Sequence, residues 1–219
     1  MEKKQFNLDY NIRPSVLGLE NSKVIYLIHG YGADKNDLFS FAEYLPQSLT
    51  VIAMQATFSM PFGQGGAWYN LELGTNGEHL SDIEQAKYSV KEIEKFIEAT
   101  SEAYKLDKEN IFVLGFSQGA ILSYSMVLNN PDKFKYVLPL SGFILEEIMP
   151  ESFDKDYSNL DFYCAHGTMD GVISIERGRT GSALLKKLKI KHVYNEFPAA
   201  HSIHQKEFEE IISWLKERV

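Results

Sequence analysis

The sequence predicts an α/β fold, a mostly parallel, doubly wound sheet with helices on both faces. Two observations carry that prediction. Six short apolar runs are spread along the chain, each continuous rather than alternating, as in strands buried on both faces. Helical patterns lie between them, and strands alternating with helices imply βαβ crossovers.

The elements follow in order. Phe6–Asn11 and Ser15–Leu19 offer one or two edge strands. Val24–Ile28 and Val51–Met54 are the first two apolar runs. Ala56–His79 is the longest irregular stretch, rich in glycine and holding Phe58, Met60, Phe62, Trp68 and Tyr69. A glycine-rich loop of that length in a compact domain is usually functional or mobile. Its aromatics suit either a substrate groove or anchorage on the core. Ile83, Ala86, Val90, Ile93 and Ile97 recur at spacings of three and four, one stripe of an amphipathic helix. Ser81 and Glu84 form a capping-box pattern at its start. Ile111–Phe116 reads as a strand and Ala120–Leu128 as a helix. Tyr136–Leu140 reads as a strand despite Pro139, which cannot donate to a ladder. Phe162–Ala165 and Val193–Phe197 complete the strands. Phe208, Ile211, Ile212 and Leu215 stripe the last helix, with Ser202 and Gln205 placed to box its start.

The chain has 219 residues, which reads as one domain spanning 1–219. Twenty-two basic and 30 acidic residues leave a net charge of −8, which argues against nucleic acid as a partner. No apolar run approaches the roughly 18 residues of a membrane span. A single cysteine, Cys164, excludes a disulfide framework and a cysteine-rich zinc site. The first residues carry charge with no apolar stretch behind them, so the expectation is a cytoplasmic protein.

Gly115-Phe116-Ser117-Gln118-Gly119 is a G-x-S-x-G pentapeptide between a strand and a helix, the setting of a nucleophile elbow. Such a turn brings backbones close and puts the serine at a helix N-terminus. A serine needs a base, and in this fold the acid and the histidine follow it at the ends of later strands. Asp170 follows the Phe162–Ala165 strand and His201 follows Val193–Phe197. His204 competes but falls in the first turn of the last helix. His166 reads as a structural loop residue, and Asp161 sits at the wrong end of its strand. Acyl transfer also needs an oxyanion site. One donor would be the Gln118 N–H, the second that of Tyr31 in His29-Gly30-Tyr31-Gly32. The histidines show no HExxH pattern and no nucleotide-binding glycine motif follows a strand, so neither metal nor cofactor is expected.

These residues resemble the α/β-hydrolase superfamily, and more narrowly its phospholipase/carboxylesterase group, which includes the acyl-protein thioesterases. The resemblance runs from about Val24 to Leu215. Gly115-Phe-Ser-Gln-Gly119 is similar to the group's elbow, His29-Gly-Tyr-Gly-Ala-Asp34 to its oxyanion loop, His166-Gly-Thr-Met-Asp170 to its acid motif and His201-Ser-Ile203 to its base motif. Ser141-Gly142-Phe143 looks like the acyl-site segment and Trp68 like an aromatic of the substrate loop. Ala120, Ala200 and Gly171-Val-Ile-Ser174 depart from the group's pattern without removing a catalytic group. The resemblance implies Ser117, Asp170 and His201 as a triad, Tyr31 and Gln118 as the oxyanion hole, and hydrolysis of esters or thioesters without metal or cofactor.

Only about eighteen residues separate Gly142 from Leu160, too few for a cap domain, so the expected site is open. Phe62, Trp68 and Phe143 are the expected substrate wall. The expected reaction is hydrolysis of carboxylic esters with short to medium acyl chains. The alternatives are an acyl-protein thioesterase or lysophospholipase, and a hydrolase-fold domain that only binds. The expected partner is a small or lipid-like ester. The loop aromatics are equally compatible with a homodimer surface.

Overall fold

The computed structural model describes residues 4–61, 65–73 and 79–219. Among them the chain runs β1 (Tyr10–Arg13), β2 (Val24–Ile28), β3 (Thr50–Met54), β4 (Phe58–Ser59), β5 (Gly66–Ala67), β6 (Leu71–Leu73), β7 (His79–Ser81), α1 (Ile83–Ala103), β8 (Ile111–Phe116), α2 (Gln118–Asn129), β9 (Tyr136–Leu140), β10 (Asp161–Gly167), α3 (Ile175–Lys187), β11 (Lys191–Phe197) and α4 (Gln205–Lys216).

Seven strands form one sheet in the order β1-β3-β2-β8-β9-β10-β11. All pair in parallel except β1, which is antiparallel to β3. Alternate residues of each inner strand face opposite sides. Val24, Tyr26 and Ile28 join Ala86, Ile93, Ile121 and Leu185 on the α1–α2–α3 side. Ile25 and Leu27 join Leu38, Ile211, Trp214 and Leu215 on the α4 side. This is the doubly wound sheet that the apolar runs predict. The segment between β9 and β10 carries only a short 3-10 turn, Glu146–Ile148.

Several local readings change. The N-terminal residues supply one edge strand, β1, and no strand forms over 15–19. Pro139 lies within β9 without a break toward β8, where it faces Gly115. The β9–β10 ladder instead passes from Val137 to Leu140, because proline has no N–H to offer there. Val193–Phe197 belongs to an edge strand, and Val193 is 42% exposed. Asp82, not Ser81, caps α1 by accepting from the Gln85 N–H. His204, not Ser202, caps α4 and forms a reciprocal box with Glu207.

Helix α3 shows no apolar stripe because Gly178 and Gly181 stand beside Leu185 on its buried face. A Cβ on Gly178 would lie 2.3 Å from the His166 ring, and one on Gly181 would lie 2.2 Å from the Tyr124 hydroxyl. Small residues let the helix backbone approach the sheet where side chains would keep it away.

Candidate active site

Ser117 sits between β8 and α2 at φ 54°, ψ −116°, in the positive-φ half of backbone space that non-glycine residues rarely occupy. The turn is held from both sides. The Ser117 N–H donates to the Leu140 carbonyl at 3.0 Å. Gly119 packs so closely on β2 that a Cβ there would be 2.0 Å from the Ile28 carbonyl oxygen. Strain of this kind costs on the order of 1–3 kcal/mol and persists where the surroundings impose it.

Three side chains from three strand ends meet here. His201 Nε2 is 2.8 Å from Ser117 Oγ, and His201 Nδ1 is 2.6 Å from Asp170 Oδ2. A carboxylate can only accept, so Nδ1–H donates to Asp170 and Nε2 accepts from the serine hydroxyl. The Asp170 side chain is fully buried, while that of His201 is 18% exposed. Burial pulls the Asp170 carboxyl upward. The hydrogen bond from His201 and the backbone N–H groups of Ile173 and Val172 outweigh it and leave the carboxyl below its ordinary value. Asp170 therefore stays anionic beside the imidazole.

His166, read from sequence as a loop residue, is the penultimate residue of β10 and is buried. Its Nε2 lies 2.9 Å from the Ile173 carbonyl oxygen and 3.3 Å from Asp170 Oδ2. A second histidine thus touches the carboxylate. The motif His166-Gly-Thr-Met-Asp170 carried a signal for it, but a four-residue separation did not show that the chain folds back on itself.

Beyond β2, the segment His29–Ala33 is pinned to residues 65–66. Gly32 N–H donates to the Gly66 carbonyl at 2.9 Å, and Gly66 N–H donates to the Ala33 carbonyl at 2.7 Å. The Tyr31 N–H has no acceptor among the described residues. Gln118 opens α2, so its N–H has no partner within the helix. His29 is buried, and burial lowers its affinity for a proton. Its Nε2 accepts from the Ala56 N–H at 3.1 Å, so Nδ1 carries the proton and donates to the Gly30 carbonyl at 2.7 Å. This neutral imidazole braces the loop from beneath.

The three expected wall residues separate. Trp68 is fully buried. Its indole N–H donates to the His29 carbonyl at 2.8 Å, so it supports the loop from the inside and offers no surface to an acyl chain. The Gln118 side chain clasps the same segment, accepting from the Trp68 N–H and donating to the Tyr69 carbonyl. Phe143 is 6% exposed and lies under the Arg177 guanidinium, 3.6 Å from its ring centre. Phe62 lies outside the described residues. Among the described residues no group of three His, Cys, Asp or Glu side chains is placed to hold a metal ion, and no helix is long and apolar enough to cross a membrane.

Comparison with known proteins bears on this arrangement. The family model described as Phospholipase/Carboxylesterase matches residues 17–219. An acyl-protein thioesterase 1 from Debaryomyces hansenii is 24% identical over 93% of this chain and 94% of its own length. One from Candida albicans is 30% identical over 73% of this chain and 69% of its own length. The crystal structure of esterase PE8 superposes with a TM-score of 0.86 at 23% identity, covering 97% of this chain and 99% of that one, a likeness that carries the fold.

Proposed function

The chain belongs to the phospholipase/carboxylesterase family, serine hydrolases acting on ester bonds, and we propose that Ser117, His201 and Asp170 carry out that hydrolysis here. The observation that carries the reading is the continuous hydrogen-bonded line from Ser117 Oγ through both nitrogens of His201 to the buried Asp170 carboxylate. Ser117 Oγ attacks the acyl carbon as its proton passes to His201 Nε2. The carbonyl oxygen takes negative charge, met by the N–H groups of Tyr31 and Gln118 at the N-terminus of α2. The C–O bond breaks, and His201 returns its proton to the leaving oxygen. Water then attacks the acyl-enzyme with His201 as base. Asp170 holds the tautomer this requires and stabilises the imidazolium.

The preferred substrates are carboxylic esters with short to medium acyl chains, supported by the β9–β10 segment, whose one element is the 3-10 turn Glu146–Ile148, too little to build a cap. A second reading, thioester hydrolysis, is favoured by the Debaryomyces hansenii and Candida albicans relatives, which are named acyl-protein thioesterase 1. The chemistry is shared, and the groove decides between them. The test is intact-mass labelling with a fluorophosphonate, followed by p-nitrophenyl ester and acyl-thioester panels of increasing chain length. A single adduct lost in Ser117→Ala is expected. An adduct kept in that variant, or none in the wild type, would remove the assignment.

A further inference from the structure

We propose that the groove beside His201 is the leaving-group subsite and that Asp37 selects esters whose alcohol half carries a cation. The inference rests on the triad chemistry proposed above. His201 Nε2, 2.8 Å from Ser117 Oγ, must also reach the leaving oxygen. The alcohol half therefore departs along the His201 side, while the acyl half lies away from it. On that side lies a groove of about 320 Å³ lined by Asp37, Leu38, Phe41, Phe116, His201, Ser202 and Ile203. Its volume is at the small end for a ligand site.

The walls are apolar and well supported. The Phe116 ring centre is 5.0 Å from that of His201, and Phe41 packs on Phe208 at 4.7 Å. Leu38 is buried behind them. The single carboxylate lining the groove is that of Asp37. It stands at the N-cap position of the 3-10 turn Leu38–Phe41, yet makes no capping hydrogen bond. Among the described residues it has no side-chain hydrogen bond or ion pair. The neighbouring Asp34, by contrast, is occupied by the Asn36 N–H and side-chain amide. A free carboxylate at the mouth of an aromatic-walled groove suits a short apolar alcohol ending in an ammonium group. The carboxylate attracts the charge, and the faces of Phe41 and Phe116 tolerate it. An anionic alcohol half meets repulsion at the same place.

The test compares two butyrate esters of nearly equal shape, those of choline and of 3,3-dimethylbutanol, which differ in the charge of one atom. Wild type is expected to show kcat/KM about threefold higher for the cationic ester, the scale of one partly exposed charge pair. The preference should fall as salt rises. In Asp37→Asn the ratio should approach one, and in Asp37→Lys it should drop below one. Equal rates in wild type, or a preference kept in both variants, would overturn the proposal. Because each ratio is taken within one variant, a general loss of activity cannot mimic the result. Hydrolysis that persists in Ser117→Ala would remove the triad reading, and the subsite with it. Ser117-dependent hydrolysis with no charge preference would remove the subsite alone.

Discussion

His166 Nε2 approaches the same oxygen of Asp170 that accepts from His201 Nδ1, at 3.3 Å and 2.6 Å respectively. Both the His166 and the Asp170 side chains are buried, so water cannot stand in for the imidazole when it is removed. His166→Phe should leave the Ile173 carbonyl short of a donor and take away the imidazole that packs against Asp170. Leaving a buried acceptor unpaired costs about 1–3 kcal/mol. Activity should fall roughly tenfold, mainly in kcat, with partial recovery in His166→Gln. Steady-state kinetics on p-nitrophenyl butyrate decide it, and a folded His166→Phe variant within twofold of wild type would contradict it.

Ser117 should be expensive for stability and indispensable for chemistry. Ser117→Ala should remove activity by ~10⁴-fold or more. Ser117→Gly should be equally inactive but more stable than Ser117→Ala by about 1–2 kcal/mol, since glycine accepts φ 54°, ψ −116° without strain. Urea denaturation of the two inactive variants gives the comparison directly.

Trp68 should influence activity from inside the protein. Trp68→Phe deletes the donor to the His29 carbonyl, which lies just before the loop carrying Tyr31. A loss of about 1–2 kcal/mol in stability is expected. A slackened oxyanion loop should also lower kcat more than it raises KM. A rise in KM alone would instead mean that the indole touches substrate.

Glu207 should tilt stability against high pH. Its side chain is buried, and burial pushes its carboxyl up to about 7, only partly offset by the His204 N–H it accepts from. An ordinary unfolded carboxyl titrates near 4.3. Between those values the folded state holds the extra proton, so stability decreases as pH rises from about 4.3 to 7 and then levels off. Glu207→Gln keeps an acceptor for the cap but cannot ionise, so it should flatten that slope. At pH 8 it should match or exceed wild type, by up to ~3 kcal/mol. Thermal melts of both proteins across pH 5–8 test this, and parallel curves would refute it.

The sheet was legible because its inner strands are continuous apolar runs, and α1 and α4 because their buried faces are apolar stripes. Helix α3 was not, since Gly178 and Gly181 form its closest approach to the sheet and glycine leaves no hydropathy signal. The caps at Asp82 and His204 shifted from their expected positions because several polar residues stand near each helix start, and the turn geometry chooses among them.

From the sequence alone came the alternation of strands and helices, the strand–serine–helix turn, and an aspartate and a histidine each following a later strand. These are properties of local order, which neighbouring residues encode. Only tertiary structure decided that Ser117, His201 and Asp170 meet within 2.8 Å and 2.6 Å, that Trp68 turns inward, and that His166 reaches the carboxylate. It also decided that Asp37, distant in sequence, shares a groove with His201. Such relations depend on how the sheet twists and how closely helices pack on it, and many residues far apart in the chain set that jointly.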